Sequence, residues 1–183
     1  MADSGIATVA GADSATVQAL FAAAIARWRR DGVRVAAVVA EAHGLPDRTC
    51  AAGFLRDLTS GVAYPIHLES PPPGTSCHLD VRGIDAACAA ILPLIGTSDL
   101  VVLSKFGKLE TTGGGLFAAF EAARAAGRPI LTTVSPKHHA AWQAFAPGAA
   151  VLPADMDALR QWWRAQRSGA PAVDMAANTV SGA

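Results

Sequence analysis

Two lysines within four residues, Lys105 and Lys108, follow directly on the run Leu100-Val101-Val102-Leu103. Three glycines, Gly113, Gly114 and Gly115, then precede an apolar-periodic stretch that opens Leu116-Phe117. Each piece suits an anion. Lysine is a compact positive charge that donates to phosphate-like groups. Glycines ahead of a helix let backbone approach a ligand, and the free N–H groups of a helix start favour negative charge. Glu110, between the two, has the chemistry to order a lysine or to hold a metal through water. The competing reading is a surface ion pair of little worth. If the chain is an enzyme, Lys105 and Glu110 are the catalytic candidates.

The first loop, Gly11-Ala12-Asp13-Ser14-Ala15-Thr16, occupies the place of a phosphate-binding loop, but it fails the pattern GxxxxGK[ST]. Counted from Gly11, Thr16 stands for the second glycine, Val17 for the lysine and Gln18 for the hydroxyl residue. Gly11 and Ser14 still complete the expected anion site, and Ser14 is also the expected helix cap. A second set, His43, Cys50, Cys77 and His78, flanks a hairpin at both ends and could form a soft metal site if those ends meet. Its spacing matches no zinc motif, and scattered cysteines often serve as small buried hydrophobes. Cys88 reads as core. His138 or His139, with Lys137, is placed to help hold an anion. Trp142, Trp162 and Trp163 read as packing residues.

The elements that must position these residues follow from periodicity. Ile6–Ala10 is a strand, and helical spacing of Val17, Leu20, Phe21, Ala24, Ile25 and Trp28 predicts a helix from about Thr16 to Arg30. Val33–Ala40 is a parallel strand, which completes a βαβ unit. Gly53–Leu58 and Val62–Leu68, joined by Thr59-Ser60-Gly61, read as a hairpin, with Pro65 restricting its second strand to an edge or a bulge. Ser70–Ser76 is a loop. Helices are expected over Ile84–Ile95, Leu116–Ala126, Pro136–Phe145 and Asp155–Arg164. Strands are expected over Asp99–Leu103, Pro129–Val134 and Ala149–Leu152. The sum is an α/β, three-layer domain with a mainly parallel sheet and a hairpin excursion at about 53–68. In such sheets ligands sit at the carboxyl ends of the strands, where Lys105 falls.

The 183 residues suit one domain, expected over 1–167, with a flexible tail over 168–183. Lys plus Arg equal Asp plus Glu at 15 each, so no general attraction to nucleic acid or acidic lipid is expected. No apolar run reaches membrane-spanning length, and the N-terminus lacks the basic and apolar parts of a secretory signal. Three cysteines form no dense framework, which favours a reducing cytoplasm.

The stretch DLVVLSKFGKLETTGGGLFAAFEAARAAGRPILTTVSPKHHAAWQAF (Asp99–Phe145) resembles the signature half of a bacterial domain family of unknown function. Members of that family are described as relatives of nucleoside-triphosphatases or as molybdenum-transport-associated proteins. The hairpin GFLRDLTSGVAYPIHL and the segment Cys77–Asp80 carry the same resemblance, which spans Ile6–Trp163. It implies a layout similar to small P-loop nucleoside-triphosphatases. In those enzymes the central strand ends in an Asp-Glu pair that handles Mg²⁺ and water. Ser104 and Lys105 stand at those positions here, and Gly107 and Glu110 match the Gly and Glu that follow. The resemblance also implies molybdenum metabolism, which suits a tetrahedral oxyanion.

Three readings compete. The first is a cytoplasmic binding protein with a degenerate P-loop, holding a nucleotide with Mg²⁺ or a molybdate-like oxyanion at Gly11, Ser14, Lys105, Lys108 and Gly113–Gly115. The second is an active nucleoside-triphosphatase with an unorthodox phosphate site. The third is a non-catalytic interaction protein, with the hairpin edge open to a partner. The expected partner is a small anion, with no nucleic acid and no membrane span, and a homo-oligomer is compatible with all three.

Overall fold

The computed structural model describes residues 5–44, 52–71, 73–74 and 78–168. Cys50, Cys77, most of the expected tail and parts of the Ser70–Ser76 loop lie outside those residues. Alternation of β and α segments gives, in chain order, β1 (Ile6–Ala10), α1 (Ser14–Arg30), β2 (Val35–Ala42), β3 (Ala52–Asp57), β4 (Ala63–Pro65), α2 (Val81–Ile95) and β5 (Leu100–Leu103). There follow α3 (Phe117–Ala125), β6 (Ile130–Thr132), α4 (His139–Phe145), β7 (Ala150–Pro153) and α5 (Met156–Ser168). The strands form one seven-stranded sheet in the order β4-β3-β2-β5-β6-β1-β7. Pairings among β1, β2, β5, β6 and β7 are parallel. The hairpin is not a separate excursion. β3 pairs antiparallel with β2, and β4 with β3, so it widens the sheet. Pro65 falls on the outermost strand, where its missing N–H costs no ladder bond.

The central strands are apolar on both faces because helices cover both. Along β5, Val101 and Leu103 face one side with Ala36, Val38 and Ile130. There they meet Ile84 and Ile91 of α2, Phe120 of α3, and Trp142 and Phe145 of α4. Leu100 and Val102 face the other side with Ala37, Val39 and Leu131. They meet Phe21, Ile25 and Trp28 of α1, and Leu159, Trp162 and Trp163 of α5. This period-two division makes the three layers. Full burial of a side chain such as Phe21 or Ile25, 0 % and 1 % exposed, stabilises by about 2 kcal/mol.

Several boundaries differ from expectation for local reasons. Asp13, not Ser14, caps α1: its carboxylate accepts the Thr16 N–H at 2.9 Å and the Thr16 hydroxyl at 2.8 Å. Ser14 is the first helical residue. Asp80 likewise caps α2 through the Arg82 N–H, which starts that helix at Val81 rather than Ile84. Pro136–His138 forms a 3-10 turn ahead of α4, and α5 runs on to Ser168, past Arg164. The first turn of α2 lies on the backbone of β4. A methyl group on Gly83 would stand 1.7 Å from the Pro65 carbonyl oxygen, so only glycine allows this approach.

Candidate functional site

Strand ends place the polar residues. Ser104 and Lys105 leave the carboxyl end of β5, Ser135 follows β6, Ala40 lies near the end of β2, and Ser14 opens α1. These residues meet around one cavity of about 230 Å³. Its polar lining is Ser14, Gln18, Ser104, Lys105, Lys108, Glu110, Ser135 and His138. Its apolar lining includes Leu55 and Ile66 from the hairpin segment, Leu79, Ile84 of α2, Leu109 and Leu116. Lys105 and Lys108 are exposed at the rim. Among the described residues neither is ion-paired; the pairs formed are Arg34–Asp99, Arg56–Glu41, Arg82–Asp80 and Arg160–Asp157. A methyl group on Gly107 would lie 3.4 Å from Lys105 Cε, 3.6 Å from Glu110 Oε2 and 3.8 Å from Ser135 Oγ. Lys105, Glu110 and Ser135 therefore surround Gly107 at ordinary contact distance.

Gln18 fixes the frame of this cavity. It is a polar residue on the buried face of α1, and its Nε2 donates to the Ser104 carbonyl at 2.9 Å. Its Oε1 accepts from the Ala40 N–H at 2.8 Å. One side chain thus ties the ends of β5 and β2 to α1. A buried amide in an otherwise apolar helical stripe was the sequence signal for it, and the failed P-loop count passed over it.

Two of the three glycine amides expected to be free are engaged. The Gly113 N–H donates to the Glu110 carbonyl at 3.2 Å, and Gly114 to the Leu109 carbonyl at 3.0 Å. The Leu116 N–H donates to Glu110 Oε1 at 2.9 Å, and the Gly107 N–H to Glu110 Oε2 at 2.9 Å. Glu110, 7 % exposed, is therefore the anion at this turn, and among the described residues it is not ion-paired with a lysine. Gly113 and Gly114 are absent from the cavity lining. Gly11, exposed with φ +90°, is likewise not part of it. At the start of α1 the ligand is again internal. Hydrogen bonds from the Thr16 backbone and hydroxyl hold the Asp13 carboxyl below the usual range.

Of the histidine and cysteine set, His43 and His78 are described, and Cys50 and Cys77 lie outside the described residues. His43 packs its ring against His67, with centroids 5.6 Å apart. The His78 carbonyl accepts from the Leu68 N–H. No group of three or more His, Cys, Asp or Glu among the described residues could hold a metal. Cys88 is buried in α2, and burial pushes its thiol up, as a core residue requires. His138 lines the cavity, while His139 is exposed and is not part of its lining.

A larger groove of about 560 Å³ lies at the opposite, amino edge of β2 and β5. Its arginines are already engaged. Arg29 donates to the Leu58 and Val35 carbonyls, and Arg34 pairs with Asp99 at 2.6 Å. Of the lysines and arginines lining these two cavities, Lys105 and Lys108 at the carboxyl edge are the ones with no ion pair and no side-chain hydrogen bond among the described residues.

Residues 6–162 match the model of the family described as "Protein of unknown function (DUF2478)". The chain belongs to that family. It is also similar to a molybdenum import ATP-binding protein, ModC 2, of Bradyrhizobium diazoefficiens, with 37% identity over 91 residues. That match covers 49% of this chain but 10% of the relative. No solved structure matches the chain. As a member of DUF2478 it has a mixed α/β fold with a mostly parallel seven-stranded sheet, and none of its described helices is long and apolar enough to cross a membrane.

Proposed function

We propose that this DUF2478 chain is a cytoplasmic binding protein for a small phosphate-like anion, either a free oxyanion or a phosphate carried on a larger molecule such as a nucleotide. Lys105 and Lys108 supply the positive charge. The hydroxyls of Ser14, Ser104 and Ser135 and the ring of His138 supply hydrogen bonds. The observation that carries the reading is the convergence of two unpaired lysines on one cavity at the carboxyl edge of a parallel sheet. In this reading the fold is P-loop-like, but its first loop has lost the phosphate grip. Thr16, Val17 and Gln18 replace the motif's glycine, lysine and hydroxyl, and Asp13 closes the start of α1. The charge has moved to the end of β5. The name of the ModC 2 relative, which joins ATP binding to molybdenum import, supports both the anion class and a link to molybdenum metabolism.

Thermal melts with inorganic phosphate, molybdate and ATP test this. A bound anion at about 100 times its Kd should raise Tm by roughly 5–10 °C. Lys105→Ala combined with Lys108→Ala should abolish the shift without changing the unliganded Tm by more than about 2 °C. If none of the three anions stabilises the unaltered chain, the reading fails. Release of phosphate from ATP in the same samples, lost in Lys105→Ala, would instead favour a nucleoside-triphosphatase.

A further inference from the structure

The same cavity has two unlike walls, and this restricts what the anion is attached to. Leu55, Ile66, Ile84 and Leu116, each 2–6 % exposed, make most of the buried lining, beside Ser104 and Gln18, whose amide is engaged by the Ser104 carbonyl and the Ala40 N–H. Lys105 and Lys108 are exposed and stand at the mouth. Between them Glu110 is buried, with both oxygens turned onto backbone amides at 2.9 Å. A tetrahedral oxyanion pushed inward past Ser104 would leave the lysines, meet mostly apolar carbon that cannot hydrate it, and approach this fixed carboxylate. Burial of an unpaired charge under those conditions is strongly unfavourable. The oxyanion belongs at the mouth, and its water-excluding interior calls for carbon.

We infer that the ligand is amphipathic: a small oxyanion ester or acid with its charged group on Lys105 and Lys108 and a short hydrocarbon body against Ile84 and Leu116. This rests on the anion-binding reading and narrows it. The size agrees. Sites that enclose drug-sized ligands run from ~300 Å³ upward, and this one, at about 230 Å³, is smaller. A body of a few carbons fits inside. A free oxyanion would leave the interior unfilled.

Calorimetric titration of the full chain with inorganic phosphate and the methyl, ethyl, propyl and butyl monophosphates tests the inference. Molybdate and ATP are titrated beside them. Each added methylene should tighten binding by about fourfold until the interior is filled, from ~0.8 kcal/mol per buried CH₂. Lys105→Ala combined with Lys108→Ala should weaken every member of the series, since all share the charged group. A flat series, with inorganic phosphate or molybdate bound as tightly as butyl phosphate, overturns the amphipathic ligand and leaves the oxyanion reading standing. ATP bound more tightly than every alkyl phosphate also overturns it, in favour of a nucleotide. If nothing in the set binds, this inference and the anion site fall together.

Discussion

Glu110 Oε1 accepts the backbone N–H of Leu116 at 2.9 Å, and this one contact joins the turn after β5 to the start of α3. With Oε2 on the Gly107 N–H, a single buried carboxylate serves both ends of the lysine loop. Glu110→Ala would leave two buried amides without acceptors. The expected loss is about 3 kcal/mol, or roughly 6–12 °C in Tm. Urea melts of the variant check it. A loss under about 0.5 kcal/mol would return Glu110 to the class of surface ion pairs.

Gly115 is held to glycine twice over, and Gly113 once. Gly115 has φ +61°, and a methyl group there would stand 2.4 Å from Glu110 Oε1. Gly113 has φ +81° with open space around it. Gly113→Ala should therefore cost only the left-handed strain, about 1–2 kcal/mol. Gly115→Ala should cost more, because the new methyl displaces the carboxylate that caps Leu116. The double variant Gly115→Ala with Glu110→Ala should destabilise less than the sum of the two singles. Additivity within error would show that the two residues do not meet.

How far the sequence disclosed this arrangement depends on the range of each contact. β1 and the apolar run of β5 were legible because a strand buried on both faces needs no partner to identify it. The hairpin was legible from Ser60-Gly61 and the Pro65 restriction, but not its attachment. That β3 joins β2 depends on the whole sheet order, so Leu55 and Ile66 went unseen as cavity lining. Local polarity also misled at two helix starts. Asp13 and Ser14 are both good caps, and only the backbone turn chooses between them. Gly113–Gly115 carries the composition of an anion loop, yet Glu110 folds back onto it, a contact that no spacing rule encodes. That Lys105 and Lys108 are exposed beside the strand-end cavity follows from the sequence, because charge following directly on a buried strand is brought to the surface by the end of that strand.

Asp99 and Arg34 link the amino ends of β5 and β2, and the pair sets a pH signature. Hydrogen bonds from Arg34, helped by its charge, hold the Asp99 carboxyl below the usual range. A depressed folded value means that its contribution is present above the unfolded value, ~3.9, and is lost as pH falls through the folded one. The Arg34 side chain is 66% exposed and Asp99 35%, so screening keeps the contribution of the pair small. Asp99→Asn should lower Tm by a constant 1–2 °C above about pH 5, with the gap closing below pH 4. A gap that widened on acidification would reverse the assigned sign.

Asp13 stands beside Ser14, which lines the cavity, and places a negative charge at the start of α1. Its hydrogen bonds from Thr16 keep it ionised well below neutrality. Asparagine caps helices about as well as aspartate, so Asp13→Asn removes the charge and keeps the helix start. If the anion sits on Lys105 and Lys108, the missing repulsion should tighten inorganic phosphate about twofold at low salt, the size expected for one exposed charge acting through water. The gain should fade as ionic strength approaches ~1 M, where the Debye length shrinks to ~3 Å. Titrations at two salt concentrations separate this from a conformational effect, which salt would not remove. Weaker binding in Asp13→Asn at low salt would mean that the carboxylate takes part in holding the ligand, and that the first loop still belongs to the site.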